Sequence, residues 1–229
     1  TLLASSAASD VYKRQILKLL FVERCLIRGY IFINKNGKMI YMGIGIIVCG
    51  LNGSGKSTLG KALAEKLEIH FIDIENLFFQ QKASNYSSGL SRSDKEVEKI
   101  LLNEVVTYKN FVFSAVKGEY GKDVLPFYNY AVLIDVPKEV RLERIKQRSL
   151  QKFGSRILPG GDMYEQEKTF YDKVSSRTGR YVEEWVQSLE CPVIRVDGTR
   201  SINENITYIT GQIQSLLQET DKQLSDLLK

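Results

Sequence analysis

The 229-residue chain is poor in the residues that most chemistry-bearing motifs require. Its three cysteines, Cys25, Cys49 and Cys191, stand far apart. That spacing excludes a disulfide framework or a cysteine metal site and suits a reducing, cytoplasmic setting, with Cys49 read as a small core residue. The single histidine, His70, leaves little material for a histidine-based triad and reads as the opening of a strand. No stretch approaches the ~20 apolar residues of a membrane helix. Between Ile16 and Ile33 the apolar residues are interrupted by Lys18, Glu23, Arg24 and Arg28, and no small-residue cleavage site is evident. Internal repeats and low-complexity linkers are also lacking. The formal charge of +5 is a local excess: residues 1–38 carry seven Lys or Arg against Asp10 and Glu23, and the remainder balances at 25 against 25. A balanced remainder has no electrostatic footprint for nucleic acid or a membrane surface, so neither partner is expected.

Residues 1–38 read as separate from the domain that follows. Ser5 to Gln15, Ser-Ser-Ala-Ala-Ser-Asp-Val-Tyr-Lys-Arg-Gln, resembles the in-frame translation of adaptor DNA used in transposon-based sequencing libraries. The chain opens on Thr1, and Met39 and Met42 stand just before the first expected strand. The expectation is that residues 1–38 are a spurious upstream extension, that 39–217 form one domain, and that 218–229 are a C-terminal tail.

What the chain does have is Gly50-Leu51-Asn52-Gly53-Ser54-Gly55-Lys56-Ser57-Thr58, which satisfies G-x-x-x-x-G-K-[ST] in full. An apolar run, Ile44 to Cys49, precedes it as a buried strand. Leu59, Leu63 and Leu67 follow at helical spacing, with Ala62 and Ala64 in the turns. The motif therefore lies between a strand and a helix N-terminus, where its mechanism requires it. Glycines allow the backbone to approach phosphate, and successive N–H groups form an anion nest at the positive end of the helix. Lys56 supplies a point charge for the terminal phosphates and the Ser57 hydroxyl can ligate Mg²⁺. The loop, from Gly50 through Asn52, Gly53, Ser54, Gly55, Lys56 and Ser57 to Thr58, is thus expected to bind ATP with Mg²⁺.

Strands then alternate with helices, the sign of a parallel sheet. Strands are expected at Ile69–Asp73, Phe111–Ala115, Ala131–Val136 and Val193–Val196. Asn85 to Ser91 reads as a loop. Ser93 with Glu96 forms a capping box ahead of an apolar face of Val97, Ile100, Leu101, Val105 and Tyr108. A helix is expected from Lys138 to about Ser149. A longer helical stretch covers Glu165 to Leu189, weakened near Ser175 to Gly179. A final helix is capped by Ser201 and Glu204 and runs to about Leu216.

From Met42 to Leu216 this order resembles the nucleoside-monophosphate-kinase-like group of P-loop kinases, which includes adenylate, shikimate and gluconate kinases. The most specific part after the phosphate loop is Val136-Pro137 and the helix carrying Arg141, Arg144 and Arg148. The resemblance implies an α/β, three-layer P-loop NTPase fold with a central parallel sheet of about five strands, helices on both faces and a lid near 149–180. It implies catalytic roles for Lys56, Asp73, Arg144 and Arg148, with the planar guanidinium forks suited to charge spread over phosphate oxygens. Arg141 is read as part of a solvated basic face. Phe153 to Gly161, with Arg156, reads as the mobile part of the lid. Arg177 and Arg180 on the return helix are looser candidates for substrate binding. Val196-Asp197-Gly198-Thr199 is similar to the loop beside the nucleotide base, which places Gly198 in the nucleotide site.

Adenylate-kinase-type enzymes carry an aspartate at the end of the third strand; here that strand ends Ser114-Ala115-Val116-Lys117. The acids follow the second strand instead, as Asp73-Ile74-Glu75, similar to the Asp-x-Asp of shikimate and gluconate kinases. Alternation along a strand would point both into one cavity. The resemblance gives Asp73 a metal or acceptor role, with Ser57 as the other metal ligand, and gives Glu75 an acceptor contact. Arg92 and Lys117 complete the acceptor side, and two cations there point to an anionic acceptor. Lys117 stands where shikimate kinases have a glycine-rich segment, which argues against shikimate itself. Phe78, Phe79, Tyr86 and Tyr120 could stack on a ring but read first as packing. The expected activity is ATP-dependent phosphorylation of a small molecule by a monomer or homodimer. A nucleoside monophosphate kinase and a non-catalytic nucleotide-dependent binding or regulatory protein are the alternatives.

Overall fold

The computed structural model describes residues 30–33, 39–79 and 91–227. The adaptor-like Ser5–Gln15, most of the loop expected from Asn85 and the aromatic Tyr86 lie outside the described residues. Two short strands, β1 (Tyr30–Ile33) and β2 (Met39–Met42), pair antiparallel with Tyr30 opposite Met42 and Ile33 opposite Met39. The backbone thus pairs part of the segment assigned upstream of the domain with the residues assigned to its start.

The main sheet has five strands, all parallel: β3 (Gly45–Cys49), β4 (His70–Asp73), β5 (Phe111–Ala115), β6 (Tyr130–Asp135) and β7 (Val193–Asp197), in the spatial order β4-β5-β3-β6-β7. Their cores, Ile-Ile-Val in β3 and Phe-Val-Phe in β5, are apolar without alternation, as strands covered on both faces must be. Each strand falls within a residue of its expected place. Ile47 and Cys49 face one layer with Phe113, Val97, Leu101, Val105 and Trp185, while Ile46 and Val48 face the other with Leu59, Leu63, Ile206, Ile209 and Ile213. Each such fully buried aliphatic side chain contributes about 1.5–3 kcal/mol of transfer free energy. Helices α1 (Lys56–Leu67) and α7 (Ile202–Leu227) cover one face; α2 (Ile74–Phe78), α3 (Asp94–Tyr108) and α6 (Arg180–Gln187) lie on the other.

Between β6 and α6 stand α4 (Lys138–Phe153), a short 3₁₀ turn at Gly154–Ile157 and α5 (Tyr164–Ser176), so the helical stretch does break at residues 177–179. Both expected capping boxes are present: the N–H groups of Ser93 and Ser201 donate to Glu96 (2.9 Å) and Glu204 (3.0 Å). Two expectations are corrected. Tyr108 is half exposed at the end of the α3 face, stacked on His70, whose ring lies 2.7 Å from Glu104. Helix α7 does not end near Leu216 but runs to Leu227, because the sequence after Leu216 has neither Gly nor Pro to stop propagation.

The close approach of α1 to β5 sets the site. Gly60 lies against Ser114, whose hydroxyl donates to the Lys56 carbonyl at 2.9 Å in a fully buried setting. A β-carbon at Gly60 would run into that hydroxyl and meet the Phe71 ring at 3.0 Å. Gly60→Ala should therefore destabilise the fold by roughly 1–3 kcal/mol despite the better helix propensity of alanine. Gly211→Ala, where a β-carbon meets nothing within 4 Å, should stabilise it by about 0.5–1 kcal/mol. Urea unfolding midpoints, at unchanged slope, read both signs.

Candidate nucleotide and phosphoryl-transfer site

Five parallel strands deliver their C-terminal ends to one edge of the sheet, where open α/β folds hold ligands. The loop between β3 and α1 is shaped for an anion. Gly53 and Gly55 hold φ of 81° and 90°, the left-handed region that side chains avoid. A β-carbon at Gly53 would strike the backbone carbonyl of Arg141, so the loop is pressed against α4. Leu59 N–H donates to Gly55 O at 2.9 Å, which starts α1 directly behind the loop. The Ser54 hydroxyl is 2% exposed and is the one buried side-chain polar atom among the described residues with no hydrogen-bond partner. A buried unpaired donor facing a glycine nest fits a phosphate oxygen.

Lys56 is 8% exposed. Burial lowers its pKa, Glu75 and Asp73 raise it, and Arg148 and Arg177 lower it again. The ammonium thus sits among two carboxylates and two guanidinium groups drawn from three regions of the chain. Sequence reasoning assigned Lys56, Asp73 and Arg148 to catalysis and Glu75 and Arg177 to substrate binding, and the fold brings the two sets to one place. Arg144 also belongs to the site: it donates to the Gly198 carbonyl at 3.0 Å and reaches the Gly53 carbonyl at 3.5 Å. Gly198 has to be glycine, because a β-carbon would strike Ile134 and Val136 and approach Ser54 O at 3.0 Å. Beside it a cavity of about 250 Å³ is lined by Thr58, Ile134, Arg144, Arg200, Ile202 and Asn205, contiguous with Ser54 and Gly55 of the loop. A larger, more open groove of about 570 Å³ follows the ends of β6 and β7 and includes no residue of the phosphate loop. The smaller cavity is the one that adjoins the phosphate loop.

Several expected roles shift. Arg141 is not part of a solvated face: it is 5% exposed and donates to the Asn52 carbonyl at 3.1 Å, so it braces the loop from α4. Helical spacing identified the face but not what lies across it. Asp73 and Glu75 do not alternate along a strand, since β4 ends at Asp73 and α2 begins at Ile74. Asp73 caps that helix, accepting from Glu75 N–H at 2.9 Å, and this turn is what carries both acids near Lys56. Arg177 reaches the phosphate loop, donating to Asn52 Oδ1 at 2.8 Å across 125 residues of sequence. Arg180 does not; its side chain is 84% exposed and pairs with Glu184 one helical turn on. Arg156, expected to act in the lid, is held by Asp162 through a two-pronged contact.

On the acceptor side, Arg92 donates to Leu77 O at 2.7 Å and its backbone N–H donates to Phe78 O at 3.0 Å, which ties it to the end of α2. Lys117 pairs with Glu119 at 2.6 Å and lies 4.0 Å over the Tyr181 ring. Tyr120 packs edge-on against Phe78 and Phe113, and burial pushes its hydroxyl up to about 12. Cys49 is a core residue, as expected, its thiol raised to about 12 by burial. Among the described residues no three His, Cys, Asp or Glu converge on a metal position. Mg²⁺ bound with a nucleotide needs only one or two protein oxygens beside the phosphates and waters, which Ser57 and Asp73 can supply.

Residues 46–157, from β3 to the turn after α4, match the family described as AAA domain. The chain is similar to the uncharacterized protein YqaC of Bacillus subtilis (strain 168), at 29% identity over 178 residues, 74% of this chain and 97% of that protein. It is also similar to a shikimate kinase of Bacteroides fragilis (strain ATCC 25285), at 34% identity over 117 residues, 48% of this chain and 65% of that enzyme. A gluconokinase from Sinorhizobium meliloti 1021 superposes with a TM-score of 0.47 at 18% identity, over 78% of this chain and 96% of its own. Strand order, phosphate loop and domain match together define the P-loop NTPase fold, an α/β fold with a five-stranded parallel sheet. No helix among the described residues is long and apolar enough to cross a membrane.

The brace from α4 is open to test. Arg141→Met keeps the apolar stem but removes the donor to Asn52 O, and MgADP affinity should fall about tenfold. Arg180→Ala should leave it within twofold. Calorimetric titration of the three proteins separates the two cases.

Proposed function

We propose that this protein transfers the γ-phosphoryl group of ATP to a hydroxyl of a small molecule. The observation that carries the reading is the cluster around Lys56. A buried ammonium behind a glycine nest binds triphosphate, and a pair of carboxylates at the end of the second strand gives the cluster a place for a hydroxyl to lose its proton. Similarity to a shikimate kinase supports the same class.

In this reading Lys56, Arg144 and Arg148 hold the charge that spreads over the transferred group, and Arg177 joins them from beyond α5. The acceptor oxygen forms a bond to the γ-phosphorus as the bond from that phosphorus to the β-bridging oxygen breaks. The hydroxyl proton passes to Asp73, and ADP leaves with the bridging oxygen. Ser57 and Asp73 would hold Mg²⁺ beside the phosphates, where it would supply charge neutralisation. The segment 149–180 acts as the lid that keeps water, a competing acceptor, away. The acceptor carries negative charge in this reading, and Arg92 rather than Lys117 is the cation that meets it, because Glu119 already balances Lys117. Residues 39–217 form the kinase domain, acting as a monomer or homodimer in the cytoplasm.

Incubation with MgATP and a panel of sugar acids, cyclic hydroxy acids, nucleosides and nucleoside monophosphates should give acceptor-dependent ADP release with one acceptor class. Lys56→Ala should abolish it, and Asp73→Asn should lower kcat by about 10²–10⁴ with nucleotide affinity retained. ATP binding without turnover on any acceptor would favour the nucleotide-dependent binding protein instead. Turnover on nucleoside monophosphates would show that the missing third-strand acid, where Ser114 stands, is dispensable.

A further inference from the structure

Asn52 is held at two points by arginines from two different elements. Its carbonyl accepts from Arg141 of α4 at 3.1 Å, and its side-chain Oδ1 accepts from Arg177 at 2.8 Å. Arg177 stands in the break between α5 and α6, its backbone extended (φ −70°, ψ 129°), so no helix fixes its side chain. One of the five guanidinium donors engages Asn52, and the fork then lies close enough to Lys56 to oppose its charge. The next residue, Gly53, is pressed against the carbonyl of Arg141, and that contact makes Asn52 a fixed point rather than a mobile loop tip. Nothing in the phosphate-loop pattern requires an amide here; the position is one of its unspecified residues.

We propose that Asn52 is a positioning residue: its side chain anchors Arg177 over the phosphate loop and so makes nucleotide binding sensitive to the γ-phosphate. The inference rests on the kinase reading for its role and on the Asn52–Arg177 bond for its mechanism. An arginine on an irregular segment loses side-chain and backbone freedom when it grips a phosphate; an anchor on the loop removes part of that loss beforehand. A bidentate fork held at one nitrogen keeps its other donors for oxygen atoms of the transferred group. Asn52 touches no reacting atom in this scheme and acts only through Arg177.

The test compares wild type, Asn52→Ala, Arg177→Ala, the double variant and Asn52→Asp in the full chain. Without nucleotide, chymotrypsin cleavage at Tyr164, Phe170 and Tyr171 reads whether α5 and the break are tethered. Both alanine variants should be cut several-fold faster than wild type, the double variant no faster than Arg177→Ala, and Asn52→Asp, which keeps the acceptor, at the wild-type rate. Calorimetry then gives the preference for MgATP over MgADP. Each single alanine variant should lose about tenfold of it, again without additivity in the double variant. Additive losses, an Asn52→Ala preference equal to wild type, or a higher one (the sign of an arginine parked away from the phosphate) would overturn the proposal. If wild type bound neither nucleotide, the kinase reading would fail, while the cleavage cycle would still decide whether Asn52 tethers Arg177.

Discussion

A buried ammonium organises this protein. Lys56 lies at the start of α1 with 8% of its surface exposed, and desolvation alone would favour its neutral form. Two carboxylates, Glu75 and Asp73, oppose that tendency, and two arginines, Arg148 and Arg177, reinforce it. The local balance is therefore short of negative charge, before counting Arg144 or the positive end of α1. An anion with several charges completes it. The surrounding architecture gathers those groups at the C-terminal edge of the sheet. Gly60 lets α1 lie against β5, Ser114 fixes the Lys56 carbonyl, and Gly198 lets the loop after β7 close on Ser54.

The same constraint explains why the phosphate loop is braced on several sides. A left-handed backbone at Gly53 and Gly55 costs chain entropy to fix, and the loop is closed from within by Ser54 N–H on Leu51 O at 3.1 Å. The carbonyls on the outer side are then what the rest of the protein can grip. Arg141 takes Asn52 O, Arg144 reaches Gly53 O and holds Gly198 O, and Arg177 takes the Asn52 side chain. Helix α4 thus reads as a rigid bar whose buried stripe positions the loop and whose exposed turn presents Arg148.

How much of this was legible depended on the range of the interaction. Strands β3 and β5 were plain because burial on both faces makes them apolar runs, unbroken in β5 but for Ser114 near its end, and the phosphate loop because its pattern records a local backbone requirement. The two capping boxes were plain for the same reason. Arg141 was misread since periodicity places a residue on a face but cannot say that the neighbour is a carbonyl 89 residues away. Asp73 and Glu75 were found for a partly wrong reason. A strand of alternating residues was assumed, whereas Asp73 is the helix cap; Asp-x-Glu before an apolar pair was the available signal. Arg180, like Arg177, was placed at the site by resemblance to the return helix of related kinases, whereas it lies in solvent beside Glu184. The Asn52–Arg177 bond spans 125 residues and left no mark in the sequence.

The two halves of the site differ in how their charge is balanced, and that difference bears on selectivity. On the phosphate side, Arg141, Arg144 and Arg177 meet neutral carbonyl oxygens of the backbone and of the Asn52 side chain, which orient them without neutralising them. On the acceptor side, Lys117 is matched by Glu119 and stacked on Tyr181, and Arg92 is partly committed to Leu77 O. In the proposed reaction, electrostatic binding energy is accordingly concentrated on the nucleotide phosphates and least on the acceptor. Discrimination among acceptors in that reaction falls to shape and to the Arg92 donors beyond the one bonded to Leu77 O. Hydrogen-bonded recognition of that kind rejects an acceptor lacking the partner group more sharply than one of slightly different size, because the guanidinium would be left unpaired.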